Sequence, residues 1–152
     1  MPLQIPESGS AHRFRLEVPA EATFVGPARL FAAAIAREMH LEEGLVEDLK
    51  LAVSEACAYL LTPPSPDARL LLLEVTQLDD RLEFSVSEST APGASTAHLG
   101  FAALGPADVG KEAEGPSLGL EVIGALFHDA RLSPSDVRRI TFSVGVEEGA
   151  TE

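Results

Sequence analysis

Two short segments carry the residues that could do chemistry: a glutamate in mid-helix and a glycine-containing turn before a later helix. Glu55 lies within Val46–Tyr59, opposite an apolar stripe, and helical spacing puts Asp48 and Tyr59 on its face. A mid-helix carboxylate is usually a solvated surface group. The spacing alone therefore leaves a functional and a surface interpretation open.

The turn runs from Gly115 to Leu120 and reads Gly-Pro-Ser-Leu-Gly-Leu, with Leu118 and Gly119 at its end. Backbone N–H groups at the start of a helix, together with its positive dipole end, can cradle phosphates. A turn of this kind more often only caps a helix, so phosphate binding and structural capping are both retained.

Other chemistries find little support in the sequence. Its histidines are widely scattered, without the paired spacing of a zinc site; they are His12, His40, His98 and His128. Gly115–Gly119 has the spacing Gly-x-Ser-x-Gly, but it follows the long predicted loop and not a strand, so it lacks the strand–turn–helix context of a serine hydrolase. Cys57 is the single cysteine and falls in an apolar helical run, so we predict a buried thiol and not a nucleophile.

The composition is that of one soluble domain. The chain has 152 residues, of which 45% are hydrophobic and 23% charged, near the averages for globular proteins. No apolar run reaches the roughly 18 residues that cross a bilayer, and Met1–Ser10 is unlike a signal peptide. We therefore expect a cytoplasmic protein without a membrane partner.

The charge is strongly acidic. With 24 acidic and 11 basic residues, the net charge of -13 disfavours direct nucleic-acid binding, and no basic cluster exceeds Arg138-Arg139. An acidic surface suits a basic protein partner. Solubility alone explains the acidity equally well.

The periodicity of apolar residues predicts the elements that position these groups. We predict strands over Arg13–Val18, Arg69–Gln77, Arg81–Ser87 and Arg138–Val146. We predict helices from Glu21 to about Met39 with a start near Pro27, from Leu45 to Leu61, and from Ser117 to about His128. This order favours an α+β sandwich with helices layered on one face of a mixed, mainly antiparallel sheet.

The domain organisation follows from the same pattern. We predict a flexible N-terminus over residues 1–12, one domain over residues 13–146, and a polar tail over residues 147–152. Residues 89–115 are rich in glycine, proline, alanine and serine, without periodicity, and are longer than most connections. We predict a lid loop there.

The run Leu51–Ala56, Leu-Ala-Val-Ser-Glu-Ala, resembles the N-box of the GHKL ATPases, in particular the anti-sigma factor serine kinases. The resemblance covers about Arg13–Val146 and implies the histidine-kinase-ATPase-like (Bergerat) fold. It implies that Glu55 is the general base of an active enzyme. The family's magnesium-binding asparagine corresponds to Tyr59, and a phenol is a poor substitute for the hard oxygen ligands of magnesium.

The resemblance also implies a nucleotide site for ATP or ADP with magnesium. Glu88 follows the third predicted strand where the family has an aspartate that accepts the adenine amino group. The segment from Gly115 through Leu118 and Gly119 to Leu120 matches part of the family's phosphate-binding turn. Together with Tyr59, these departures imply weak or lost ATP binding and argue against an active kinase.

Three functions follow from the resemblance. The first is an anti-sigma-factor-like regulator that sequesters a sigma factor by binding, within a partner-switching system that includes a STAS-type anti-anti-sigma antagonist; a homodimer is a further expectation. The second is an active protein serine kinase that phosphorylates this antagonist. The third is a nucleotide-sensing module of another pathway.

Overall fold

The computed structural model describes residues 12–62, 70–89, 102–103, 117–133 and 137–146. Its helices are α1 (Val25–Glu38), α2 (Glu43–Leu60) and α3 (Ser117–Leu126), and a 3-10 turn, Ala22–Phe24, precedes α1. Its strands are β1 (Arg13–Pro19), β2 (Leu70–Gln77), β3 (Arg81–Ser89), β4 (Ala102–Ala103), β5 (Arg131–Ser133) and β6 (Arg139–Gly145). The predicted flexible N-terminus (except His12), most of the predicted lid loop and the predicted tail lie outside these ranges.

The strands form one six-stranded sheet in the order β1-β2-β3-β6-β5-β4. Every pairing between the described strands is antiparallel. The predicted α+β architecture is confirmed. Strands β4 and β5 were not predicted, because two and three residues are too few to show an alternating pattern; β4 falls inside the segment predicted as a lid loop.

The core lies between one face of the sheet and the helices. Alternate side chains of β3 and β6 point into it, among them Phe84 and Phe142, which are cross-strand partners with stacked rings 5.5 Å apart. Phe127, just after α3, stacks on Phe142 at 4.9 Å. Aromatic pairs of this kind add to the stabilisation from burial, and they fix α3 relative to the sheet.

Small residues let α1 and α2 pack closely. Helix α1 buries four alanines: Ala28, Ala32, Ala33 and Ala36. Helix α2 buries residues at three- and four-residue steps along its length: Val46, Leu49, Ala52, Val53, Ala56, Cys57 and Leu60. A stripe this regular determines which side of α2 faces the core.

The predicted element boundaries differ from the structure by a few residues. Helix α1 begins at Val25, so Pro27 falls in its first turn as expected. Helix α2 begins two residues before Leu45. Strand β3 continues to Ser89, because Glu88 and Ser89 still pair with β2; Glu88 is therefore a strand residue and does not follow the strand.

Among the described residues, no helix combines the length and the apolar content needed to span a bilayer. The predicted burial of the thiol is confirmed, because Cys57 is 1% exposed and unpaired. Burial raises the pKa of the Cys57 thiol from 9.0 to about 12.

We predict that Cys57 resists alkylation in the folded protein, because the thiolate is the nucleophile. Iodoacetamide at pH 8, followed by mass spectrometry, should label the thiol only in denaturant; full labelling of the folded chain would contradict its burial.

The raised pKa also predicts a loss of stability at alkaline pH. Below pH 9.0 the thiol is neutral in both states; as the pH rises from 9.0 to about 12, it ionises in the unfolded chain first, and the free energy of unfolding falls. Cys57→Ala should remove that part of the alkaline destabilisation.

Candidate functional site

A cleft between α2 and α3 brings four of the predicted site residues together. Its volume is about 360 Å³, within the range of small-ligand pockets. The residues that line it come from the C-terminal half of α2, from the segment just after α2, and from α3: Glu55, Ala58, Tyr59, Thr62, Leu118, Gly119 and Val122. Asp48, predicted on the same face of α2, is not among them.

Helix α2 positions two polar side chains of the cleft, those of Glu55 and Tyr59. Glu55 and Tyr59 lie one turn apart and are both half-buried. On the opposite side of the helix, Val53 and Cys57 are buried, and Ala52 and Ala56, between the two sides, have no exposed surface. With the apolar stripe fixed in the core, Glu55 and Tyr59 lie on the side of α2 that lines the cleft with α3.

Gly119 permits a close contact between α3 and Glu55. A Cβ atom at Gly119 would lie 2.6 Å from Oε2 of Glu55, well inside van der Waals contact. The glycine therefore lets the first turn of α3 approach the carboxylate. A negative charge beside the first turn of a helix is favourable, because the N-terminal end of the helix dipole is positive.

The other predicted nucleotide-binding residues have different surroundings. Leu118 is 67% exposed at the cleft, whereas Leu120 is buried and belongs to the hydrophobic core. Gly115 lies outside the described residues. Glu88 does not line the cleft, and only 4% of its surface is exposed.

Glu88 is held by an arginine that the sequence did not single out as a site residue. Nε and Nη2 of Arg138 donate to Oε2 and Oε1 of Glu88 at 3.1 and 2.5 Å, and the Glu88 carboxylate raises the pKa of Arg138. The register of β3 and β6 explains the pairing, because Ser87 faces Arg139 and so the next pair outward is Glu88 and Arg138. The signal in the sequence that could have revealed this pair was an arginine at the start of the last predicted strand.

Arg138 also contacts the end of α2. Its Nη2 donates to the backbone carbonyl of Leu60 at 3.0 Å, and its guanidinium carbon lies 5.6 Å from the centre of the Tyr59 ring. Cations are favourable at helix C-termini and over aromatic faces. One side chain thus joins β3, β6 and α2 beside the cleft.

The residues present do not fit the magnesium nucleotide that the resemblance implies. Among the described residues, the cleft offers one carboxylate, on Glu55, and a phenol, on Tyr59, where the resembling family has an asparagine. A neutral phenol is a poor substitute for the hard oxygen ligands of magnesium. The carboxylate expected to receive adenine is enclosed by Arg138.

Comparison with known proteins identifies the family. Residues 18–142 match the model of the histidine kinase-like ATPase domain. The chain belongs to this family. It is 30% identical over 128 residues to the serine-protein kinase RsbW of Bacillus mycoides (strain KBAB4), and 29% identical over 125 residues to that of Bacillus cereus (strain Q1). Each alignment covers 79% of this chain and 76% of the relative.

The expected similarity to the anti-sigma factor serine kinases of the GHKL group is thereby confirmed. For this member of the histidine kinase-like ATPase family, the assignment of Glu55 as general base stays a prediction. The nucleotide-binding roles of the other site residues also stay predictions: Tyr59, Glu88, Gly115, Leu118, Gly119 and Leu120. What the geometry adds is that Glu55, Tyr59, Leu118 and Gly119 share one cleft.

We predict that alanine is less favourable at Gly119 than at Gly44, a matched helical glycine. A Cβ at Gly44 meets nothing within 4 Å, so Gly44→Ala should raise the free energy of unfolding by about 0.5–1 kcal/mol through backbone entropy. In Gly119→Ala the methyl group must displace the Glu55 carboxylate, which cancels this gain. Urea denaturation measures both.

The double variant Glu55→Ala/Gly119→Ala tests the reason for this difference. With the carboxylate removed, the alanine at position 119 should again be favourable relative to Glu55→Ala alone. Equal gains from Gly44→Ala and Gly119→Ala would contradict the close contact.

Proposed function

We propose that this protein is an anti-sigma-factor-like regulator that acts by binding in the cytoplasm. It sequesters a sigma subunit of RNA polymerase and releases it when a STAS-type anti-anti-sigma antagonist competes. Its affinity for ATP is weak or lost. The similarity to RsbW serine-protein kinases supports the partner-switching system, and the altered cleft supports binding without catalysis.

One observation supports binding without kinase activity. The side chain in the asparagine position is Tyr59, and its ring packs beneath the Arg138 guanidinium. A phenol is a poor magnesium ligand, and the ring cannot leave its place without losing the cation–π contact. Magnesium is needed to neutralise the phosphates in phosphoryl transfer, so this substitution favours a regulator without kinase activity.

The charge of the chain favours a basic protein surface as the partner. A net charge of -13 attracts positively charged surfaces and repels nucleic acid, which speeds the correct encounter and disfavours the wrong one. Such an association should weaken with rising salt.

We predict that the purified chain captures a sigma subunit from its own host with an affinity independent of nucleotide. Calorimetric titration should give dissociation constants with magnesium ATP, with ADP and without nucleotide that agree within about threefold, less than 1 kcal/mol. Glu55→Gln should leave the affinity unchanged.

Size-exclusion chromatography with light scattering, on the same sample, tests the predicted homodimer.

Two outcomes would overturn this proposal. Failure to bind any sigma subunit of the host would remove the anti-sigma function and favour the nucleotide-sensing module of another pathway. Binding that requires ATP would remove the nucleotide independence.

The second candidate is an active serine kinase that phosphorylates the antagonist. The relatives named above are serine-protein kinases, and the Glu55 carboxylate lines the cleft beside Gly119. These two observations favour it. In this case Glu55 would accept the proton of the substrate hydroxyl.

We predict that the native chain does not transfer phosphate from labelled ATP to the antagonist, and that Tyr59→Asn gains magnesium-dependent nucleotide binding. If the native chain does transfer phosphate, Glu55→Gln should abolish the transfer, while Asp48→Asn, on the same helix but outside the cleft, should not. Transfer with that pattern would replace our proposal by the kinase.

A further inference from the structure

We propose that Arg138 is an internal clamp that closes the Tyr59 end of the cleft against an adenine base. The arginine clamp consists of Arg138, the Glu88 carboxylate, the Tyr59 ring and the Leu60 carbonyl. This inference rests on the proposed function and gives a structural reason for its weak or lost affinity for ATP.

The clamp is a neutral, largely buried unit. Glu88 is 4% exposed and both of its oxygens accept from Arg138. Charge-assisted bidentate pairs are the strongest hydrogen-bonded pairs in proteins, and removing one partner from a buried pair leaves an uncompensated charge. The Glu88 carboxylate is thus committed within the protein.

The same guanidinium holds three elements together. Nη2 of Arg138 bonds both Glu88 and the Leu60 carbonyl, one of the last carbonyls of α2, which have no partner within the helix. The backbone N–H of Glu88 donates to the Arg138 carbonyl at 3.2 Å, so the two strands meet at this point. Opening the clamp would therefore break the hydrogen bond that ties the last carbonyl of α2 to Arg138, while Leu60 itself stays buried in the core.

A ligand in the cleft touches the Tyr59 side of this unit but not Glu88. Tyr59 lines the cleft, whereas Glu88 and Arg138 do not. An adenine amino group that sought the Glu88 carboxylate would have to displace an arginine that makes three hydrogen bonds. The exclusion acts on the base end of a nucleotide and leaves the Glu55 and Gly119 end unchanged.

The test compares Arg138→Ser with Arg139→Ser, which removes the same charge from the neighbouring residue. Arg139 is a suitable control because its side chain lies on the other face of β6, and its Nε and Nη2 have no hydrogen-bond partner within the described part of the chain. Adenosine, ADP and inorganic pyrophosphate are titrated by calorimetry into the full chain and each variant. If Arg138→Ser does not fold, Arg138→Lys replaces it, since lysine keeps the charge but loses the bidentate fork and the stacking.

We expect Arg138→Ser to bind adenosine and ADP at least about tenfold more tightly than the native chain and the Arg139→Ser control, with no change for pyrophosphate. Arg138→Lys should show a smaller gain of the same kind. Unchanged adenosine affinity in a folded Arg138 variant would overturn the clamp. An equal gain for pyrophosphate would also overturn it, because the whole cleft would then have loosened.

This outcome can be separated from the failure of the proposed function. Adenosine affinities are compared between variants in the absence of any partner protein. The sigma-capture experiment uses the native chain alone. A chain that captures no sigma subunit can still show the clamp, and a chain without the clamp can still capture a sigma subunit.

Discussion

The rotational setting of α2 is the constraint on which the rest of the site depends. The helix buries its apolar stripe completely at Ala52, Val53 and Ala56, and the side next to this stripe carries Glu55 and Tyr59 into the cleft with α3. A rotation of α2 by one residue towards the core would bury Glu55, and an unpaired buried carboxylate is costly. Core packing thus directs Glu55 and Tyr59 into the cleft, independently of any ligand.

The departures from the family pattern form one physically coupled set. Glu88 needs a cation because it is buried, and Arg138 supplies it from the adjacent strand. The guanidinium then lies over an aromatic ring, which Tyr59 provides and an asparagine would not. The tyrosine that disfavours magnesium therefore also stabilises the arginine that encloses Glu88.

Sequence periodicity was sufficient for the long elements and for the residues they carry. The alternation of Leu82, Phe84 and Val86 predicted β3, and the stripe on α2 put Glu55 and Tyr59 on one face. It was insufficient for β5, because three residues show no period, and for the pairing of Glu88 with Arg138, because these residues are 50 positions apart. Such a contact depends on strand order and register, which local patterns do not contain.

Glu55 shows why a retained residue is weak evidence for a retained reaction. Its carboxylate lies against the first turn of α3, where Gly119 leaves room for it and the helix dipole favours its charge. This contact gives Glu55 a structural role whether or not phosphate is transferred. The two ends of the cleft therefore bear on function differently: the Glu55 end fits both a kinase and a binding regulator, whereas the Tyr59 end, where the ring is held by Arg138, favours the regulator.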